Sequence, residues 1–257
     1  MNRLNNLFAV KSADILNVYF TAGHPALHDT VEIIKSLSEA GADIVEIGMP
    51  YSDPLADGAT IQASSQVALK NGMHLDLLFS QIAEARTYTD MPFILMGYFN
   101  QVIQYGEERF IKKAKESGVD GLILPDLPVD EYQLHYEAMF RKYDMNISFL
   151  ITPQTPDSRI RHIDDVSNSF IYMVSSNAIT GAKAGIDENQ KIYFDRIEKM
   201  KLKNARLIGF GISNRESFHQ ACKYASGAII GSAFIQALTN SDDIPNTVRQ
   251  FVHSIKN

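Results

Sequence analysis

The chain has 257 residues, of which 45% are hydrophobic and 21% are charged, and its formal net charge is −6. This is the composition of an ordinary globular protein, and the length suits one large α/β barrel or two small domains. The acidic balance argues against nucleic acid or an anionic membrane as a partner, because both favour a basic protein face.

The single cysteine, Cys222, excludes an internal disulfide framework and is typical of a reducing compartment. No stretch reaches the roughly 20 apolar residues that are needed to span a bilayer. The first residues also lack the apolar segment of a signal peptide. We therefore expect a cytoplasmic protein that has no membrane association.

The apolar pattern predicts eight strands that alternate with helices. A short helix over residues 2–11 comes first, and its apolar face is expected to close the bottom of a barrel. The strands are predicted at 15–20, 43–47, 92–96, 122–124, 147–151, 170–174, 207–210 and 228–230. The later helices are predicted at 29–40, 61–71, 75–87, 107–117, 130–143, 158–167, 193–200, 232–238 and 244–255, and a long polar loop at 175–189.

Strands that alternate with helices form a parallel sheet, and eight such units without a nucleotide-type glycine fingerprint favour a closed barrel. No linker or low-complexity segment marks a second domain. We therefore predict an α/β fold, a single (β/α)8 TIM barrel domain over residues 1–257 with an extra N-terminal helix. Active sites of such barrels lie at the carboxyl ends of the strands.

Two carboxylates flank the end of the second predicted strand. Glu46 lies inside the apolar run, and Asp57 follows in a loop that is rich in proline, glycine and aspartate. A carboxylate in a buried strand is costly unless it is paired, protonated or used. A salt bridge or an edge strand would also explain Glu46, so spacing alone leaves its role open. An acid in the barrel wall and an acid in the next loop could face one pocket.

Two glycine-bearing strand ends near the carboxyl terminus predict a phosphate site. Gly211 follows the seventh strand, whereas Gly231 and Ser232 follow the eighth strand and open a helix. Backbone N–H groups in such turns, together with a helix N-terminus, attract anions. Loops after the seventh and eighth strands are the recurrent phosphate site of these barrels. The alternative is that the glycines only form turns and that Ser232 only caps the helix.

The loop after the second strand resembles a family signature. Residues 50–58 read PYSDPLADG, which resembles the P-[FY]-S-D-P-x-A-D-G signature of the tryptophan synthase alpha chain family. The runs YFTAG at 19–23, MGYFN at 96–100, GFGIS at 209–213 and GSA at 231–233 also fit. The chain departs from the family pattern at Ala59, at Gln101 and across 175–181, which bears on loop motion rather than on chemistry.

The resemblance implies cleavage of indole-3-glycerol phosphate to indole and glyceraldehyde 3-phosphate, a retro-aldol lyase step. Glu46 would be the acid and base, Asp57 would accept the indole N–H, and Tyr172 would lie beside the glutamate. Burial is expected to raise the pKa of Glu46, whereas Asp57 is expected to be ionised on a solvated loop.

Further residues are candidates for substrate binding. Thr180 would contact Asp57 when its loop closes, and Gly181 would be a phosphate neighbour, as would the region that holds Phe210, Gly211, Gly231 and Ser232. Apolar candidates for the indole pocket are Phe20, Tyr98, Leu124 and Leu150.

The resemblance also implies a partner, a beta chain that consumes the indole within an alpha2beta2 tetramer. Family members meet it through the loop at 50–57 and the segment at 100–105. Pyridoxal phosphate would belong to the beta chain, and this chain would need no cofactor or metal, since its histidines lack metal-ligand spacing.

Two other interpretations of the protein's function stay open. One is another phosphate-binding barrel, such as a sugar-phosphate isomerase or a stand-alone indole-releasing lyase. The other is a catalytically weak scaffold that only activates its partner.

Overall fold

The computed structural model describes residues 2–55, 57–174, 187–209 and 211–257. Within these ranges, parallel strand segments follow the apolar runs of the sequence and form one sheet. They are β1 (Ile15–Thr21), β2 (Ile44–Gly48), β3 (Phe93–Met96), β4 (Gly121–Ile123), β5 (Asn146–Ile147), β6 (Leu150–Ile151), β7 (Phe170–Val174), β8 (Ala205–Gly209) and β9 (Gly227–Ile230).

The sheet closes on itself through a single stretch of chain. Its order is β5-β4-β3-β2-β1-β9-β8-β7-β6, so β5 and β6 lie at the two ends of the order. These two segments are separated along the chain only by Ser148 and Phe149. The Ser148 N–H donates to the Leu122 carbonyl at 3.1 Å, and the Tyr172 N–H donates to the Phe149 carbonyl at 3.0 Å. The two segments are therefore halves of the predicted fifth strand, and the sheet is the predicted eight-stranded barrel.

Helices surround the barrel and largely match the prediction. They are α1 (Arg3–Val10), α2 (Asp29–Glu39), α3 (Ala59–Lys70), α4 (Leu75–Arg86), α5 (Phe99–Tyr105), α6 (Glu107–Ser117), α7 (Val129–Glu131), a π-helical turn (Tyr132–Tyr136), α8 (Glu137–Lys142), α9 (Asp157–Val166), α10 (Glu188–Lys199), α11 (Arg215–Cys222), α12 (Ser232–Thr239) and α13 (Ile244–Lys256). None of the helices that are described is long and apolar enough to cross a membrane.

The start of α10 differs from the prediction. The helix begins at Glu188, because Asp187 forms a capping box with Gln190, with N–H to oxygen distances of 2.8 and 2.9 Å. Residues 188–189 were therefore wrongly assigned to a loop. The short helix α5 was also missed. Its first turn is fixed by Gln101, whose Oε1 accepts a hydrogen bond from the Tyr98 N–H at 3.0 Å.

Side chains of the strands point alternately inward and outward, which gives two apolar clusters. The inner cluster fills the barrel and includes Ile44, Ile94 and Phe170, and the outer cluster lies between strands and helices. Leu4 of α1 is fully buried in the inner cluster, and Leu7 and Phe8 pack against it. Helix α1 therefore closes the amino-terminal end of the barrel, as the sequence predicted.

Candidate active site

Glu46 lies in the middle of β2 on the face that points into the barrel. It shares this face with Ile44 of the inner cluster, and only 1% of its surface is exposed. Its Oε2 accepts a hydrogen bond from the Asn17 amide of β1 at 2.7 Å. Its Oε1 is buried without a hydrogen-bond partner among the described residues. One carboxyl oxygen is thus held in place, and the other is left for a further partner.

The environment of Glu46 makes it a weak acid. Its pKa is raised to about 8. Burial is the largest cause, the hydrogen bond from Asn17 opposes the rise, and the nearby charge of Asp57 adds to it. Near neutral pH the carboxyl therefore carries its proton most of the time. The raised pKa agrees with the expectation from burial, and such a group can donate a proton and then take one back.

Asp57 lies at the edge of the same space and is half-buried. Its Oδ2 accepts a hydrogen bond from the Tyr98 hydroxyl at 3.2 Å. Its pKa is raised to about 6, because the effect of burial outweighs that of the hydrogen bond from Tyr98, which lowers the pKa. The expected solvated position was therefore wrong, because the pocket covers part of the carboxylate. Asp57 is nevertheless mostly ionised at pH 7, so the two acids differ in charge.

Two tyrosines pack over glycines on the inner wall. A Cβ added at Gly48 would overlap the Tyr19 hydroxyl, and one added at Gly209 would overlap the Tyr172 hydroxyl. Burial raises the pKa of both phenols, and the charges of Asp57 and Glu46 raise it further. The two glycines therefore give the two tyrosines room on the inner wall, within reach of the charges of the acid pair.

We expect Gly209→Ala to destabilise the protein by about 1–3 kcal/mol, the usual cost of overpacking a core. Its Cβ would lie 2.5 Å from ring carbons of the buried Tyr172. Urea unfolding measures the loss. The matched control is Gly121→Ala in β4, whose Cβ would meet its nearest neighbours at 3.4 Å. Equal losses in the two variants would contradict the packing of Tyr172 against Gly209.

Phe20 does not face the pocket. Asn17 and Tyr19 share the inward face of β1, whereas Phe20 is fully buried in the outer cluster, between strands and helices. The assignment of Phe20 to the substrate pocket was therefore wrong by one residue, and Tyr19 holds that position. Leu124 lies in the outer cluster as well, whereas Leu150 packs against the inner cluster.

A cavity beside Asp57 opens at the carboxyl ends of β2 to β4. Its wall is formed by Tyr19, Met49, Asp57, Ser65, Met96, Gly97, Tyr98 and Pro125. Tyr98 stacks on Tyr51, with ring centroids 4.9 Å apart, and the Gln101 amide donates to the Pro50 carbonyl at 3.0 Å. Gln101, which differs from the family pattern, therefore connects α5 to the loop at 50–58 by a hydrogen bond. Ala59, which also differs from that pattern, is the first residue of α3.

The predicted phosphate region is partly described. Gly231 caps α12 and Ser232 is the first residue of that helix, so Ser232 is not its cap. Because the cap is a glycine, no cap side chain bonds the first N–H groups of the helix, so an anion could accept hydrogen bonds from them. Gly211 has a φ of +79°, in the left-handed region that suits glycine. Thr180, Gly181, Phe210 and the loop at 175–186 lie outside the described residues.

Sequence reasoning missed two members of the site, Asn17 and Tyr19. The overlooked indication was a polar residue inside an apolar strand, the same feature that drew attention to Glu46. In the register of β1 with β2, Tyr19 pairs with Glu46 and Asn17 pairs with Ile44.

Among the described residues, no three His, Cys, Asp or Glu side chains are grouped in a way that could hold a metal ion.

Comparison with known proteins places this chain in a family. A family model described as tryptophan synthase alpha chain matches residues 7–257. The tryptophan synthase alpha chains of Flavobacterium johnsoniae and Christiangramia forsetii are 54% and 50% identical to this chain. Each match is 256 residues long, spans all of this chain and covers 100% and 99% of the relative.

Solved structures agree with this result. A chain of the tryptophan synthase complex from Pyrococcus furiosus is similar with a TM-score of 0.87 and 32% identity, over 95% of this chain and 98% of that one. A chain of Mycobacterium tuberculosis tryptophan synthase gives a TM-score of 0.88 at 28% identity, over 99% of this chain and 96% of that one. Together with the residues of the site, these matches confirm the resemblance: the chain belongs to the tryptophan synthase alpha chain family.

Proposed function

We propose that Glu46, Asp57 and Tyr172 form the active site in which this chain carries out the reaction of its family. The chain acts as an alpha subunit in tryptophan biosynthesis and is a carbon–carbon lyase that cleaves indole-3-glycerol phosphate to indole and glyceraldehyde 3-phosphate. The observation that carries the assignment is the buried Glu46 carboxyl with a pKa of about 8, beside an Asp57 with a pKa of about 6.

The reaction needs two proton transfers, and one carboxyl can perform both. Breaking the carbon–carbon bond requires a proton on C3 of the indole ring, and the aldehyde forms as the neighbouring hydroxyl loses its proton. Protonated Glu46 donates to C3, and the resulting carboxylate takes the hydroxyl proton, so the group returns to its starting state. Ionised Asp57 accepts the indole N–H and stabilises the positive charge of the protonated ring. Tyr172 forms the wall beside Glu46.

Asn17 decides which oxygen of Glu46 carries the proton. Its amide N–H donates to Oε2 at 2.7 Å, so Oε2 acts as an acceptor. The proton then resides on Oε1, the buried oxygen that has no partner within the described part of the chain. Asn17 is therefore a positioning residue that aims Oε1 at the substrate.

We expect Asn17→Leu to move the basic limb of the pH profile to higher pH. The hydrogen bond from Asn17 lowers the pKa of Glu46, and leucine removes it without admitting water. In the wild type, kcat/KM needs Glu46 protonated and Asp57 ionised, so its pH profile should be a bell with limbs near pH 6 and pH 8. We also expect a roughly tenfold lower kcat/KM at pH 7. The hydrogen bond from Asn17 stabilises the carboxylate that forms as Glu46 donates its proton, and a hydrogen bond to a charged group contributes about 1.5 kcal/mol or more. An unmoved basic limb in a folded variant would contradict the role of Asn17.

We also propose that the chain works with a beta chain, in an alpha2beta2 tetramer, and that pyridoxal phosphate belongs to that partner. The solved relative from Pyrococcus furiosus is a chain of a tryptophan synthase complex, and the one from Mycobacterium tuberculosis is a chain of tryptophan synthase. Two large apolar side chains are exposed on the segments where family members meet the beta chain, Leu55 at 89% and Ile103 at 46%. Burying such exposed apolar side chains against a protein partner would stabilise a complex.

The experiment is indole release from indole-3-glycerol phosphate, measured with and without a beta chain. The chain has no tryptophan, so indole fluorescence is read against a tyrosine background. We expect slow release alone and a strong rise with the beta chain. A rate that the beta chain does not change would indicate a stand-alone lyase. No release in either case would refute the assignment of the site.

The surface of the partner contact is tested separately. We expect Ile103→Asp to keep the basal rate and to lose at least tenfold of the affinity for the beta chain, because burying an unpaired charge at an interface costs about 1.4 kcal/mol or more. The control is Ile192→Asp, at an apolar side chain of α10 that is 62% exposed. Equal stimulation of both variants by the beta chain would show that it binds elsewhere on the surface.

We further propose that residues 1–257 form a single domain and that the protein acts in the cytoplasm, in keeping with its single cysteine.

A further inference from the structure

A second cleft lies at the end of the barrel opposite to the acid pair. It is lined by Phe8 of α1 and by residues that precede strands or lie near their starts: Lys11 before β1, Ser169 before β7, Arg206 in β8 and Ser226 before β9. Its volume is about 430 Å³. This is within the usual size of small-molecule sites, about 300–1,000 Å³. The cleft is thus large enough for a ligand and is separate from the lyase site.

All charged side chains that line this cleft are positive. Its lining holds three cations, Lys11, Lys203 and Arg206, and no carboxylate. Lys11 is paired with Asp43 at 2.6 Å, and Lys203 reaches Asp165 at 3.4 Å. No ion pair joins Arg206 to a carboxylate anywhere in the described ranges. The positive charge of Arg206 therefore faces the cleft uncompensated, in a chain whose net charge is −6.

Two buried polar atoms of the cleft lack a partner within the described structure. They are Nε of Arg206 and Oγ of Ser169, and Ser169 as a residue is only 8% exposed. A buried donor without an acceptor costs about 1–3 kcal/mol, so native proteins usually satisfy such groups. A guanidinium and a hydroxyl that lack acceptors are what a carboxylate or phosphate would satisfy, because both anions offer several acceptor oxygens.

The remaining lining shows what the rest of such a ligand would meet. Phe8 is half-buried and lies against Phe170, with ring centroids 5.8 Å apart. Leu202 is 9% exposed and also lines the cleft. These side chains give an apolar wall beside the positive one, which is the usual make-up of a site for a small organic molecule.

We propose that this cleft binds a small molecule that carries an oxyanion, a carboxylate or a phosphate. The anionic group pairs with the Arg206 guanidinium and accepts a hydrogen bond from the Ser169 hydroxyl. The apolar part of the molecule packs on Phe8 and Leu202. The site uses none of the residues that we assign to the lyase reaction.

The test is a titration of the full-length chain with benzoate and, separately, with inorganic phosphate, followed by amide NMR shifts. We expect at least one probe to give saturable shifts around Phe8, Ser169 and Arg206. Binding of benzoate alone would show that the apolar wall is needed, and binding of phosphate would show that the anion suffices. Arg206→Gln should weaken this binding at least tenfold, while Arg249→Gln, on the exposed face of α13, should leave it unchanged.

Two further readouts keep the test decisive. Indole release should be the same in Arg206→Gln and in the wild type, which shows that the variant is folded and that the cleft is independent of the lyase site. Should Arg206→Gln fail to fold, Ser169→Ala takes its place, with an expected loss of a few-fold in affinity. Absence of saturable shifts at the cleft with either probe would overturn the proposal. Equal affinity in Arg206→Gln and Arg249→Gln would overturn it as well.

Discussion

Glu46→Gln is expected to lower the rate of indole release by about 10²–10⁴-fold, the usual contribution of a positioned general acid and base. Glutamine keeps the shape of the side chain and can still accept the hydrogen bond from Asn17. It cannot donate a proton to C3 of the indole and take one back from the hydroxyl. Steady-state assays at saturating indole-3-glycerol phosphate should show the loss in kcat, with KM nearly unchanged because binding does not need the proton transfer.

The stability of this variant separates a catalytic loss from a structural one. The folded-state pKa of Glu46 is about 8, whereas an unfolded glutamate titrates near about 4.3. Between these two values the folded state binds more protons than the unfolded state. The free energy of unfolding of the wild type therefore falls as pH rises through this window, by at most about 1.4 kcal/mol per pH unit.

Glu46→Gln removes this pH dependence, so at pH 8 it should be at least as stable as the wild type. The control is Glu84→Gln on the exposed face of α4, which should change neither turnover nor stability. Turnover within tenfold of the wild type in Glu46→Gln would show that another group transfers the proton.

Asp57→Asn is expected to lower kcat by about 10²–10³-fold, the usual loss when one stabiliser of transition-state charge is removed. Asparagine has nearly the same shape and can still contact the Tyr98 hydroxyl, but it carries no charge to oppose that of the protonated ring. The acidic limb of the pH profile, near pH 6, should disappear with the carboxylate. Rates across the pH range, with a thermal melt at each pH, provide both readouts.

The control for Asp57 is Asp242→Asn, an exposed aspartate before α13, which should behave like the wild type. A retained acidic limb in Asp57→Asn would mean that another group titrates near pH 6. Full turnover would remove the indole-stabilising role of Asp57 and would leave Glu46 as the only assigned catalytic acid.

The architecture was predictable because each barrel strand is a short apolar run that is followed by a helical pattern. The sequence did not predict which individual side chains point into the barrel. All seven residues of β1 are buried, so the strand has no alternation of polar and apolar residues to show which of Tyr19 and Phe20 points inward. The start of α10 was missed for a different reason. Its first turn is polar and exposed, and it is stabilised by the capping box of Asp187 with Gln190 rather than by an apolar face.

The chemistry of the site was only partly visible in the sequence. Glu46 was found because a charge inside an apolar strand is unusual, and Asp57 because of the signature loop. The contact of Asn17 with Glu46 depends on the pairing of β1 with β2, which brings together residues that are 29 positions apart. The contact of Asp57 with Tyr98 likewise joins residues that are 41 positions apart, since Tyr98 lies at the start of α5. Such contacts follow from the closed barrel and not from local spacing.

The most direct test of the account is the titration of the Glu46 carboxyl itself. Carbon-13 NMR of the side-chain carboxyls of labelled glutamate, recorded for the wild type and for Glu46→Gln, identifies its resonance by difference. We predict a wild-type resonance with a midpoint near pH 8 that is missing from the variant. A midpoint near the ordinary value of about 4.3 would contradict the account, because Glu46 would then be ionised at neutral pH and could not act as the acid.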